Sequence, residues 1–128
     1  MKLLLDTHAA LWLISEYEKL SDKAKELIKD NSNTKFISIA SCWEIAIKVS
    51  TGKLTLQDGG VAAFIDKIEN SPIEILPITT QHIKIVESLP FIHRDPFDRV
   101  LIATAISESM NILTDDDNIQ KYDVLFTW

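Results

Sequence analysis

Leu3-Leu4-Leu5 is an uninterrupted apolar run of the kind buried in a parallel sheet. The pattern then shifts to helical spacing. Ala9 to Ile14 reads as one helix, and Ser21 begins another that puts Leu20, Ala24, Leu27 and Ile28 on one face. Phe36–Ile39 is a second strand. Ala40 to about Ser50 is a helix closed by Gly52, a residue suited to a left-handed C-terminal position. Val61–Asn70 is helical, and Glu74–Ile78 is a strand ended by Pro77. Thr80 caps a helix running to Leu89, and Pro96 opens one running to Met110. A strand over Ile112–Thr114, a short helix through Lys121 and an extended piece around Val124–Phe126 complete the series. Alternating strands and helices predict an α/β fold of three layers, a central parallel sheet flanked by helices. The segment Val100-Leu101-Ile102-Ala103-Thr104-Ala105-Ile106 has almost no polar side, so its helix belongs inside a packed layer.

No repeat, low-complexity tract or linker divides the 128 residues, which predicts a single domain over 1–128. One cysteine, Cys42, allows no internal bridge and reads as core packing; it fits a reducing compartment, and the expectation is a cytoplasmic protein. Eighteen consecutive apolar residues occur nowhere, and the apolar run at the start stops after three leucines, so neither a membrane span nor an export signal is expected. The net charge of −6, with 19 acidic against 13 basic residues, argues against a nucleic-acid partner unless bound cations offset it.

The acids reopen that question. Asp6 follows the first strand, where open parallel sheets place their ligand sites, although Asp is also a favoured helix cap. Glu44 has capping-box spacing from Ser41 and ion-pair spacing to Lys48, yet apolar residues surround it. In His93-Arg94-Asp95-Pro96-Phe97-Asp98-Arg99, Asp95 reads as an N-cap before a proline, and Asp98 falls in the first helical turn. Asp115-Asp116-Asp117 crowds three charges at a strand end. Two carboxylates about 5 Å apart repel by roughly 3 kcal/mol at an effective dielectric near 20, a load that a divalent ion with oxygen ligands relieves. Lys48, Arg94 and Arg99 could form a rim that guides phosphates, or be solvated charges. The histidines lack paired zinc spacing. Trp12, Trp43 and Trp128 read as packing or partner-interface residues.

Leu4-Leu5-Asp6-Thr7-His8, Trp43-Glu44-Ile45-Ala46-Ile47-Lys48, the His93–Arg99 segment before Leu101-Ile102-Ala103, and Ile112-Leu113-Thr114 before the Asp run resemble, in order, the PIN-domain family. They look most like its VapC-type toxins from bacterial toxin–antitoxin pairs. The resemblance implies a cleft holding one or two Mg²⁺ or Mn²⁺ ions and hydrolysis of RNA phosphodiesters by a metal-activated water. Asp6, Glu44 and Asp98 match the first three family acids; Asp116 matches the fourth, with Asp115 and Asp117 beside it. Thr7 and Thr114 match supporting hydroxyls, and Asp95 is a second-tier candidate. The resemblance further implies a cognate antitoxin and a homodimer; a patch of Leu11, Trp12 and Ile45 is the expected docking surface. The competing expectation is a catalytically idle PIN-like binding or regulatory module. A haloacid-dehalogenase-like phosphatase would need an Asp where His8 stands, and a receiver-like domain an Asp on the second strand. Phosphate-cradling glycine loops and a serine-hydrolase elbow are absent.

Overall fold

In the computed structural model, which describes residues 1–128, five parallel strands form one sheet. They are β1 (Lys2–Leu5), β2 (Thr34–Ser38), β3 (Glu74–Leu76), β4 (Asn111–Leu113) and β5 (Phe126–Thr127), in the order β3-β2-β1-β4-β5. The chain builds outward from β1 through β2 to β3, then crosses back to lay β4 against the other side of β1. The direction of winding therefore reverses between β1 and β4. In open parallel sheets, ligands bind beyond the strand ends at such a switch point.

Strand side chains alternate between faces, and the register sorts them into two cores. Leu5, Ile37 and Leu113 lie side by side on one face. They pack under α1 (Thr7–Ser15), α2 (Asp22–Lys29), α3 (Ile39–Ser50) and α4 (Gly60–Glu69). Leu4, Phe36 and Ile112 point the other way, onto α6 (Pro96–Glu108) and α7 (Asp117–Gln120), with α5 (Thr80–Ser88) alongside α6. The predicted three-layer α/β architecture is thus observed, and Cys42 sits in the first core. Leu101, Ile102 and Ala103 of α6 are fully buried, as an apolar helix requires.

The element boundaries differ from the expectations in ways that have physical causes. β2 starts two residues before Phe36 because Lys35, a polar residue, is buried along its stem; its ammonium caps the end of α2 on the Ile28 and Asp30 carbonyls. Thr79, not Thr80, caps α5, where its hydroxyl accepts from the His82 amide and the His82 ring accepts from the Thr79 amide. Ser38, not Ser41, caps α3, so the Ser41–Glu44 capping box does not form. α6 stops at Glu108 because Ser109 turns left-handed at φ +55° and the Met110 amide returns to the Ala105 carbonyl, burying the Met110 side chain. No helix is long and apolar enough to cross a membrane.

Candidate metal centre

The switch point brings together residues from both ends of the chain. Asp6 leaves β1 and caps α1, its Oδ1 accepting from the Ala9 amide at 2.8 Å. Its Oδ2 accepts from the Thr114 hydroxyl at 2.6 Å, at the end of β4. One side chain, only 3% exposed, therefore both caps α1 and reaches across to the end of β4. Burial pushes its pKa above the usual carboxylate range, and the neighbouring Asp116 adds to this; the Thr114 and Ala9 hydrogen bonds and the nearby His8 work against it.

Thr114 links two acids. While its hydroxyl donates to Asp6, the same oxygen accepts from the Asp116 amide at 3.0 Å. Asp116 caps α7 through Oδ1, which accepts from Asn118 at 2.8 Å, and is half-buried. Asp115 and Asp117 project into solvent. Of the three consecutive aspartates, Asp116 is the one turned toward the other acids.

Glu44 reaches the site from the middle of α3 and is buried. Both its oxygens are engaged: Oε1 by the Thr7 hydroxyl at 2.7 Å, which also lies 3.0 Å from the Ser41 hydroxyl, and Oε2 by the Lys48 ammonium at 2.7 Å. The i,i+4 pair expected from sequence is present. The hydrogen bond to Glu44 raises the Lys48 pKa most, and the charges of Glu44, Asp95 and Asp98 add to it. Lys48 pairs with this carboxylate while its side chain stays 37% exposed.

Asp98 lies in the first turn of α6, above the Asp95 cap, whose Oδ1 accepts from the Phe97 and Asp98 amides. Its Oδ2 shares a 2.7 Å hydrogen bond with His93 Nε2. Burial, then the charges of Asp95 and Glu44, raise its pKa to about 7 against the pull of His93. Ligand atoms of His93, Asp98 and Asp116 all lie within 4.8 Å of one another. Asp116 acts by charge on Asp6 and Glu44 on Asp98, so the four acids gather beyond the ends of the central strands β1 and β4.

Two sequence expectations are corrected. Arg99 is not a rim residue; it is 7% exposed. Its guanidinium donates to the Pro90 and Val86 carbonyls at 3.0 Å, to Leu89 and His93 at longer range, and to the Tyr122 hydroxyl, with the Phe91 ring over it. It braces the loop leading to His93, while Arg94 alone of that pair is exposed. Ile45 cannot belong to a docking patch because it is fully buried in the core. Leu11 and Trp12 stay partly exposed, and Trp12 packs edge-on against Trp128.

The sequence matches the PIN domain family over residues 3–125. The chain belongs to the PIN domain family. This PIN domain is similar in fold to VapBC2 from Rickettsia felis, solved bound to a DNA fragment from the promoter. There, identity is 19% and the TM-score 0.75, over 99% of this chain and 98% of that one. DNA-bound VapBC from Salmonella typhimurium gives 16% and 0.71 over 99% and 97%. VapBC-1 from nontypeable Haemophilus influenzae gives 17% and 0.65, with the same coverage. No curated protein sequence matches the chain.

Proposed function

We propose that this PIN domain is a metal-dependent endoribonuclease, the toxin half of a VapC-type toxin–antitoxin pair. The observation that carries this reading is the grouping at the switch point of four acids, Asp6 and Glu44 buried, Asp98 and Asp116 half-buried. Burial first, and the neighbouring carboxylates after it, push the pKa values of Asp6 and Asp98 up, a load that a bound cation would relieve. The donor set fits a divalent cation, Mg²⁺ or Mn²⁺, because hard carboxylate oxygens suit both. Asp6, Asp98, Asp116 and Glu44 would hold one or two ions. A bound divalent ion supplies Lewis acidity toward a phosphodiester and the attacking water.

The chain's own residues supply the rest. Thr114 fixes Asp6 and Asp116 relative to each other, and Thr7 fixes Glu44. Lys48 pairs with Glu44 and brings a positive charge to a pocket that must admit a polyanion. Asp95 sets the start of α6 and, through it, Asp98. Arg94 is an exposed cation that would meet RNA phosphates from outside. Resemblance to VapBC structures supports an antitoxin partner. A groove of about 320 Å³ between α1 and the segment after α3, lined by His8, Leu11, Trp12, Leu54 and Leu56, runs to Lys48 and is the docking surface we assign to it. Ile39, Trp43 and Ile47 form an exposed apolar line on α3, with Trp43 60% exposed beside Phe97, and support self-association as a homodimer. The deciding experiment incubates RNA with the purified chain and Mg²⁺ or Mn²⁺, next to folded Asp6→Asn protein. Internal cleavage by the wild type alone is expected; equal cleavage by both would remove the assignment.

A further inference from the structure

Resting on that reading of the site, we propose that His93 is itself a ligand. Its Nε2 joins the Asp98 and Asp116 carboxylates to form a mixed nitrogen–oxygen site that prefers a transition-metal divalent ion such as Mn²⁺ over Mg²⁺. The three ligand atoms come from three separate segments: the loop before α6, the first turn of α6 and the cap of α7. Their mutual separation, within 4.8 Å, is close to what one ion demands. Octahedral ligands about 2.1 Å from a cation stand roughly 3.0–4.2 Å apart. His93 Nε2 and Asp98 Oδ2, now 2.7 Å apart, need to part by only a few tenths of an ångström, on the order of the 3.0 Å lower limit.

The loop is built to hold that ring in place. The His93 amide donates to the Tyr122 hydroxyl at 2.9 Å, and its carbonyl lies at the edge of the Arg99 guanidinium. Arg99, buried among four backbone carbonyls, fixes the approach to α6 as a unit. A residue serving only as a hydrogen-bond partner of Asp98 would not also need to face Asp116. Imidazole nitrogen is a borderline-soft donor that transition ions take readily and Mg²⁺ takes poorly, which sets the direction of the preference. The other two histidines are otherwise disposed. His82 is fully buried with both ring nitrogens engaged, by the Thr79 amide and Glu108, and His8 is exposed, its ring tilted against Trp12.

The test is pulsed electron paramagnetic resonance on the Mn²⁺-loaded chain, grown with ordinary or ¹⁵N-labelled histidine, alongside calorimetric titration with Mn²⁺ and Mg²⁺. We expect a directly bonded nitrogen coupling that changes isotope pattern on labelling, persists in His8→Gln and disappears in His93→Gln. In His93→Gln the Mn²⁺ affinity should fall about 10- to 100-fold and the Mg²⁺ affinity by clearly less. Mn²⁺ bound without histidine coupling, or coupling that survives in His93→Gln, would overturn the assignment while leaving the acid site standing. If His93→Gln folds poorly, a coupling that persists in His8→Gln still assigns the nitrogen to His93, since both His82 ring nitrogens are engaged. Failure of both ions to bind the wild type would overturn both the ligand and the metal-dependent function.

Discussion

Replacing Asp98 with Asn should make the metal-free protein more stable. The ionised carboxylate is surrounded by low-dielectric protein and by Asp95 and Glu44, and His93 only partly compensates, so its pKa rises from 3.8 to about 7. A displacement of that size corresponds to roughly 4 kcal/mol of destabilisation once the group has ionised. Asn removes the charge at nearly constant shape but bonds His93 less strongly, so a gain of about 2–4 kcal/mol is expected, or roughly 6–15 °C in Tm. The sign depends on pH. Below about pH 4 the carboxyl is protonated in both folded and unfolded chains, and the two proteins should melt together. Between there and pH 7 the unfolded chain releases a proton that the folded one keeps, so wild-type stability falls as pH rises and the gap opens. Above pH 7 it is fully present. Thermal unfolding in chelator at pH 4 and pH 8 measures this, and added Mn²⁺ should raise the wild-type midpoint and leave Asp98→Asn nearly unmoved. A variant less stable than wild type at pH 8 in chelator would refute the view that ionised Asp98 is held at a cost.

Arg99→Met should lose about 3–5 kcal/mol in urea denaturation, because backbone carbonyls now met by the guanidinium would be left buried without donors. A loss below about 1 kcal/mol would show that the brace carries little of the loop. Among the consecutive aspartates, Asp116→Asn should weaken Mn²⁺ binding at least about tenfold by calorimetry, with Asp115→Asn close to wild type. Equal losses would move the fourth acid away from Asp116.

Side-chain period carried most of the architecture. Leu3-Leu4-Leu5 is apolar throughout because successive residues serve opposite cores, and the near-continuous apolarity of α6 reports burial between the sheet and α5. That Asp6, Glu44, Asp98 and Asp116 gather near one another followed from the family resemblance, since each acid alone also reads as a cap or an ion-pair partner. Arg99 was not legible. Its acceptors are backbone carbonyls of residues 86, 89, 90 and 93, and a carbonyl has no signature in the amino-acid code. The same holds for His93, which stands five residues before Asp98, a spacing that brings two side chains together only because the braced loop bends into the helix. Ser41 and Thr80 illustrate a third kind of miss. Each has a hydroxyl neighbour within three residues that could cap the same helix, and only the path of the preceding strand or loop decides between them.

Thr114 contacts Asp6 across 108 intervening positions. A ribosome making this chain produces the first acid almost immediately and the hydroxyl that pins it nearly last. Until β4 has emerged and slotted beside β1, Asp6 has its helix to cap and nothing to bind. A chain assembled in this order carries no complete acid site until its synthesis is nearly over.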